Sequence, residues 1–375
     1  MPKMKESEKR EAFKYLWEHR EELQTDVQLV QQVVSERLKY VPKKKLYKYR
    51  TCTNNNFKTL ADNCIWMAPA SSFPDPFDCT INIDIKNNAK EIDRWIKEMY
   101  PTYSYSLARG FCEKYGFDMP FTQEDIAEYI MNCMDKNGNV DVGKEALFFM
   151  ARTAPEDIEK TVIGLFHLKH FRQRFMEIEN RMFENLADSI ESFRTANRNL
   201  QLIYCMAEHF DIRSLWENYS DFYSGYCVEY SFERFEDKKF EDYKNLVYLF
   251  PMTYRANKPS FKFVPFLEGV FREFFLSDTT WRNDTDINVD LNMQLYYKKK
   301  DYDFEREWRF AIRNRENNKQ YFPFVSAIYA GKDIKPRNLA RLRNIAKKLG
   351  VPVFQQMPNK ANNGFDYILI EEVKV

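Results

Sequence analysis

The chain has 375 residues, of which 44% are hydrophobic and 16% aromatic, including Phe 32 and Tyr 23. That much large apolar surface excludes wholesale disorder and supports a sizeable core. Lys+Arg 57 against Asp+Glu 56 is nearly balanced, so no global field recruits nucleic acid or an anionic membrane, and any such binding rests on a local patch. The length exceeds what one core usually organises, so two domains, or one core carrying a large insertion, are expected. Seven scattered cysteines (Cys52, Cys64, Cys79, Cys112, Cys133, Cys205 and Cys227) contain no CxxC pair, which argues against a disulfide framework and a zinc knuckle. Reduced thiols, the lack of a signal-peptide stretch at the start and the lack of a membrane-length apolar run lead to an expected cytoplasmic localisation without a membrane partner.

From Glu6 to about Leu38, Phe13, Leu16, Trp17, Leu23, Val27, Val30 and Val34 form an apolar stripe. Two amphipathic helices hinged near Thr25 are predicted. The basic stretch Lys39 to Lys45 ends that pattern at Pro42 and leads into Leu46 to Arg50, a short aromatic strand. Residues 1–40 are thus read as N-terminal helices and 41–375 as the main domain. One or two helical turns over Thr59 to Cys64 lead into a second strand, Cys64 to Ala68, and Pro69 to Pro76 is loop. Between about 87 and 199 strand signals vanish, and Ile158 to Arg194 is charged with helical periodicity, which predicts a large helical insertion. Strand signals return in Leu200 to Met206, Gly225 to Phe232, Leu246 to Tyr254, Trp308 to Ile312 and Ala327 to Gly331. A last helix, Pro336 to Leu349, is capped by Gly350 and followed by a strand over Val351 to Phe354. The sum is an α+β protein with a mixed or antiparallel β core assembled from both ends of the chain.

Four constellations carry candidate chemistry. In Asp303 to Ile312, strand alternation places Glu305, Glu307 and Arg309 on one face and Phe304, Trp308, Phe310 and Ile312 on the other, with Arg306 unexplained. Neighbouring carboxylates disfavour each other's ionised form, which raises one pKa for acid/base work; alternatively they share a cation, stabilise an oxocarbenium-like centre, or form an exposed face on which Arg309 pairs a glutamate. In Ser71 to Asp78, Asp75 precedes a proline and Asp78 is free to accept backbone N–H bonds or face a ligand; the structural alternative is a turn pinned by Phe73 and Phe77. Tyr47, Lys48, Tyr49 and Arg50, with Lys43 to Lys45 upstream, offer aromatic faces and positive charge to a phosphate-bearing, base-containing ligand, or a solvated basic face. Lys298 to Lys300 add charge before the glutamates. Trp216 and Tyr219 share a helical face ahead of Tyr226 and are expected as core anchors. Of His19, His167, His170 and His209, the pair His167 and His170 is local, and no metal role is expected for it. No Walker loop, Rossmann fingerprint, nucleophile elbow or H-E-x-x-H occurs.

Four segments in order, LYKYR with TLADNCIWMAP, then FPDPFD, then SLWENYSDFYSGYCVEYSF, then KKKDYDFEREWRF with AIYAGKDI beyond, resemble the motifs of domain-of-unknown-function family 2971, over roughly residues 46 to 354. Pro74 stands where the family usually carries Asn, and CMAEHF around Cys205 where Cys-Phe-Ser is typical. The family carries no settled activity. Its layout is similar to that of ADP-ribosyltransferases, and the analogy implies an NAD-dependent transferase, a stress or phage-defence effector with a protein or nucleic-acid acceptor. In such an enzyme Arg50 or Lys48 holds the NAD phosphates, Tyr49 or Tyr226 stacks on nicotinamide, Glu307 orients the ribose and Glu305 activates the acceptor. Ser71 and Ser72 substitute loosely for a Ser-Thr-Ser triplet. Two alternatives use the same residues. A Mg²⁺-dependent nuclease or phosphotransfer enzyme would ligate the ion with Asp75, Asp78, Glu305 and Glu307, and a non-catalytic module would sense a nucleotide or hold a protein.

Overall fold

The computed structural model describes residues 3–84, 122–133, 186–276, 279–313, 317–359, 361 and 364–371, with isolated residues between 90 and 148. The chain divides into two compact units, one of Met1–Asn82, Phe193–Ser260 and Asn288–Val375, the other of Ile83–Ser192 and Phe261–Ile287.

In the first unit, helices α1 (Glu6–Glu18) and α2 (Val27–Leu38) follow the apolar stripe and break near Thr25. Asp26 caps α2 by accepting from Leu29 N at 2.9 Å, satisfying one of the orphan donors of its first turn. Phe13 and Leu16 are buried, and the Phe13 ring stacks on Phe250 at 4.2 Å. Strand β1 (Lys45–Arg50) is followed by α3 (Asn54–Ala61), which begins earlier than its sequence signal because Thr53 caps it through Asn56 N. Then come β2 (Cys64–Trp66), β3 (Ala68–Pro69), β4 (Gln201–Ala207), helix α4 (Arg213–Tyr219), β5 (Tyr226–Ser231), β6 (Leu249–Pro251) and β7 (Thr253–Arg255). The chain closes with β8 (Tyr297–Lys299), β9 (Glu307–Arg313), β10 (Lys319–Tyr321), β11 (Val325–Ala330), α5 (Pro336–Leu349), β12 (Val353–Asn359) and β13 (Gly364–Glu371). Gly350 ends α5 with φ +71, a conformation glycine adopts without steric penalty.

Among the described residues nine strands form one sheet, ordered β13-β12-β11-β5-β1-β4-β9-β6, with β3 paired to β4 off that path. Its neighbours are antiparallel except β11 and β12, which run parallel across the α5 crossover. The sheet is therefore mixed, and β1, from near the N-terminus, lies inside it between strands from the C-terminal half, as an α+β core built from both ends requires.

Two local expectations change. Residues 246–254 are not one strand: a 3-10 turn (Lys244–Tyr248) precedes β6 and β7, and Pro251 ends the short β6, having no N–H for a ladder bond. The strand expected from Asp303 begins only at Glu307. Lys300–Glu305 is a 3-10 turn closed by Arg306 at φ 46, so Phe304 is 42% exposed instead of facing the core. Arg306 uses its backbone there, donating to Asp303 O and accepting from Glu208 N.

In the second unit the described helices include Gln123–Cys133 and Phe263–Leu276. Trp281 packs over the latter at Gly269, where a Cβ would lie 2.4 Å from the indole, and donates to Glu273 at 2.9 Å. Most of the stretch expected as a helical insertion, including His167 and His170, lies outside the described residues.

Candidate active site

β1 and β4 share a single register pair, Tyr47 opposite Ala207, against six pairs between β1 and β5. Where that ladder is short, residues from both faces of β1 reach a cavity of about 480 Å³ lined by Tyr47, Lys48, Tyr49, Phe73, Pro74, Asp75, Asp78, Cys205, Tyr219, Lys298, Tyr302, Glu305 and Glu307 among others. The volume lies within the range of small-molecule sites.

Behind the wall sits Arg309, fully buried on β9. Its Nε donates to Glu307 at 2.6 Å, Nη2 to both Asp78 oxygens at 2.8 and 2.9 Å, and Nη1 to Leu295 O at 2.7 Å and Cys79 Sγ at 2.8 Å. The alternation of β9 puts Glu307 and Arg309 on one face. Glu305 arrives from the 3-10 turn instead. Lys298 joins the two glutamates, donating to Glu305 and, at 2.8 Å, to Glu307, while Tyr219 Oη donates to Glu305 at 3.3 Å.

These surroundings drive the two carboxyls in opposite directions. Burial pushes Glu307 up, but the Arg309 guanidinium and the Lys298 ammonium outweigh it and hold the carboxyl well below the usual carboxylate range. Glu305 is raised, first by burial; Lys298 opposes the rise and the neighbouring Glu307 charge adds to it. Burial works against the charge on Lys298, and Glu307 and Glu305 override it, keeping the ammonium protonated. Lys48 lacks an ion pair among the described residues, and burial lowers it to about 8.

The cavity thus gathers Lys48, Tyr49, Asp75, Asp78, Glu305 and Glu307, and Arg309 anchors its floor. Tyr49 has its hydroxyl committed, donating to His209 O at 2.9 Å and accepting from Ile212 N at 3.1 Å. Arg50 points elsewhere, with its guanidinium over the Tyr204 ring at 5.3 Å and Nη1 on Asn56 at 3.5 Å. Tyr226 is buried against Phe57, ring to ring at 5.7 Å, and Ser71 is exposed outside the lining. Of the turn residues, Asp75 accepts from Phe77 N at 2.8 Å, Phe73 packs against the core, and Phe77 is 69% exposed. Trp216 is the expected core anchor, donating to Phe210 O at 2.7 Å, whereas Tyr219, expected beside it, is 49% exposed at the cavity. Lys298, Tyr302 and Cys205 are further wall residues; the signal for Lys298 was its basic run ahead of the glutamates.

The four carboxylates do not form a Mg²⁺ set. Both Asp78 oxygens face Arg309, those of Glu307 face Arg309 and Lys298, and those of Glu305 face Lys298 and Tyr219. Among the described residues no cluster of three or more His, Cys, Asp or Glu is arranged to hold a metal ion, and no helix there is long and apolar enough to cross a membrane.

Residues 215–310 match the family model described as "Protein of unknown function (DUF2971)". This segment is similar to DUF2971. It contributes Tyr219, Lys298, Tyr302, Glu305, Glu307 and Arg309 to the site, while Lys48, Asp75 and Asp78 come from chain outside the DUF2971 match. No curated protein and no solved structure matches the chain.

Burial also lowers Lys9 to about 7 and Lys258 to about 8. With Lys48, these folded-state lysines release protons near pH 7–8, whereas an unfolded lysine keeps its proton to about pH 10.4. The unfolded chain then binds more protons, so stability rises with pH across that window. Above about pH 9 the Cys79, Cys205 and Cys227 thiols, pushed up by burial, oppose the trend because they ionise first in the unfolded chain. Calorimetric melting at pH 6, 7 and 8 is expected to show a rising Tm; a flat or falling series would contradict the lowered proton affinity of these buried lysines.

Proposed function

We propose that the cavity binds an NAD-like ligand and acts at its ribosyl bond, with Glu307 as the fixed anion and Glu305 as the group that takes a proton from the acceptor. The opposite pKa shifts of these neighbouring glutamates support this. Two carboxyls in one site, one held ionised and one with raised proton affinity, divide the labour between charge stabilisation and proton transfer. As the bond from C1′ to nicotinamide breaks, nicotinamide leaves with the bonding electrons and the ribose gains positive charge. Glu307, held by Arg309 and Lys298, is oriented to stabilise that charge. The acceptor then attacks C1′ and loses its proton to Glu305. Lys48 is the cation available to a phosphate, and Tyr47 and Phe73 line the cavity for a ring.

Purified protein incubated with NAD is expected to release nicotinamide equally with and without EDTA. Glu307→Gln should lower that release about a hundredfold or more while calorimetric NAD binding persists. Absence of both binding and release by the wild type would sink the proposal. Binding without release in the wild type would instead favour a nucleotide-sensing module built on the same cavity.

A further inference from the structure

A second cavity, of about 430 Å³, lies at the other end of the β4–β9 pair. Gln201 sits opposite Arg313 there, as Ala207 sits opposite Glu307 at the first cavity, and strand alternation puts Gln201 and Ala207 on one sheet face. We infer that this second cavity is a binding site for an adenine mononucleotide.

The decisive residue is Gln201. It is 4% exposed overall and lines the cavity, and its amide, which no described residue hydrogen-bonds, stays open to that cavity. An amide left open to a cavity in this way is available to a ligand. A glutamine amide presents a donor and an acceptor side by side, the complement of the adenine N6/N7 edge. Asn245, half-buried in the 3-10 turn Lys244–Tyr248, adds a second such amide to the lining. Trp17 of α1 and Tyr248 supply ring faces on which a base stacks. Arg20, with its guanidinium 4.8 Å from the Trp17 ring, and Arg313 bring the positive charge a phosphate needs.

This site is also joined to the first. Leu295 and Tyr296 line the second cavity, and the Leu295 carbonyl is the acceptor for Arg309 Nη1 at 2.7 Å. A nucleotide packed against this turn therefore bears on the guanidinium that holds Glu307.

Calorimetric titration of the full chain with AMP tests the site without reference to turnover. Wild type is expected to bind AMP. Gln201→Leu should bind at least about tenfold more weakly without a lower Tm, because it replaces an unpartnered amide by an apolar group of similar size. Asn245→Leu is expected to weaken AMP binding as well and serves if Gln201→Leu does not fold. Glu307→Gln, which acts on this cavity only through Arg309, should bind AMP far more tightly than either leucine variant. Adenosine should bind more weakly than AMP, and inorganic phosphate alone should not compete. No AMP binding by wild type, undiminished binding by both leucine variants, or loss in Glu307→Gln alone would overturn the inference, the last by placing the nucleotide in the first cavity. Failure of NAD turnover leaves this measurement unaffected.

Discussion

Arg309→Met is expected to remove about 3–5 kcal/mol of unfolding free energy, because it strands partners in the interior without a counter-charge. Asp78 would lose the donor to both its oxygens, Glu307 its Nε contact and Leu295 O its hydrogen bond. Arg309→Lys should recover little, since one ammonium cannot present a planar fork to Asp78, Glu307 and a carbonyl at once. Urea unfolding of wild type, both variants and Glu307→Gln checks the ranking. Gln at 307 still accepts from Arg309 Nε and should cost clearly less. A loss below about 1 kcal/mol in Arg309→Met would show that the network is structurally dispensable. The same contacts predict an acid limb. Glu307 is held below its ordinary pKa, so its contribution is present above about pH 4.3 and is lost as pH falls through the folded-state value. Arg309→Met should flatten that limb.

The second large effect is at two glycines where chain meets chain. A Cβ on Gly331 would lie 2.0 Å from Tyr223 O, and one on Gly225 would lie 2.2 Å from Arg50 O. Both obstacles are backbone, which cannot rotate away as a side chain can. Gly331→Ala and Gly225→Ala should each cost about 3 kcal/mol or more, or prevent soluble expression. Gly350→Ala is the control. Nothing lies within 4 Å of its Cβ and only its φ of +71 is at stake, so about 1–2 kcal/mol is expected. Thermal and urea unfolding of the three variants distinguish the mechanisms. Equal, small losses would mean that the segments at 223 and 50 shift freely.

Much of the architecture is legible in the chain because local signals and tertiary packing agree. The α1–α2 stripe, the β1 aromatic run and α5 with its Gly350 cap all lie where periodicity and capping residues put them. The start of β9 is not legible, since alternation cannot report a left-handed residue at Arg306 that turns the chain aside. The β13 strand, with alternating half-exposed residues at the sheet edge, carried too little apolar contrast to stand out. At the site, the glutamates and Asp78 are visible as unusual chemistry at close spacing. What the sequence could not supply was Arg309 reaching from β9 to Asp78, a contact spanning 231 positions. Nor does alternation settle Arg50, which shares its β1 face with Lys48 and, like it, sets its cation against the Tyr204 ring, yet lies outside the cavity lining.

The single Tyr47–Ala207 pair between β1 and β4 has a thermodynamic corollary. Inner strands usually brace each other through their ladder, but here the brace is short and side chains around an open volume stand in its place. Whatever fills that volume completes the middle of the sheet, so occupancy and cohesion become one quantity. At a hundredfold excess over Kd a ligand adds about 2.7 kcal/mol to the folded state. A melting-temperature screen of small molecules against this protein should therefore be an unusually direct way to find what the first cavity holds.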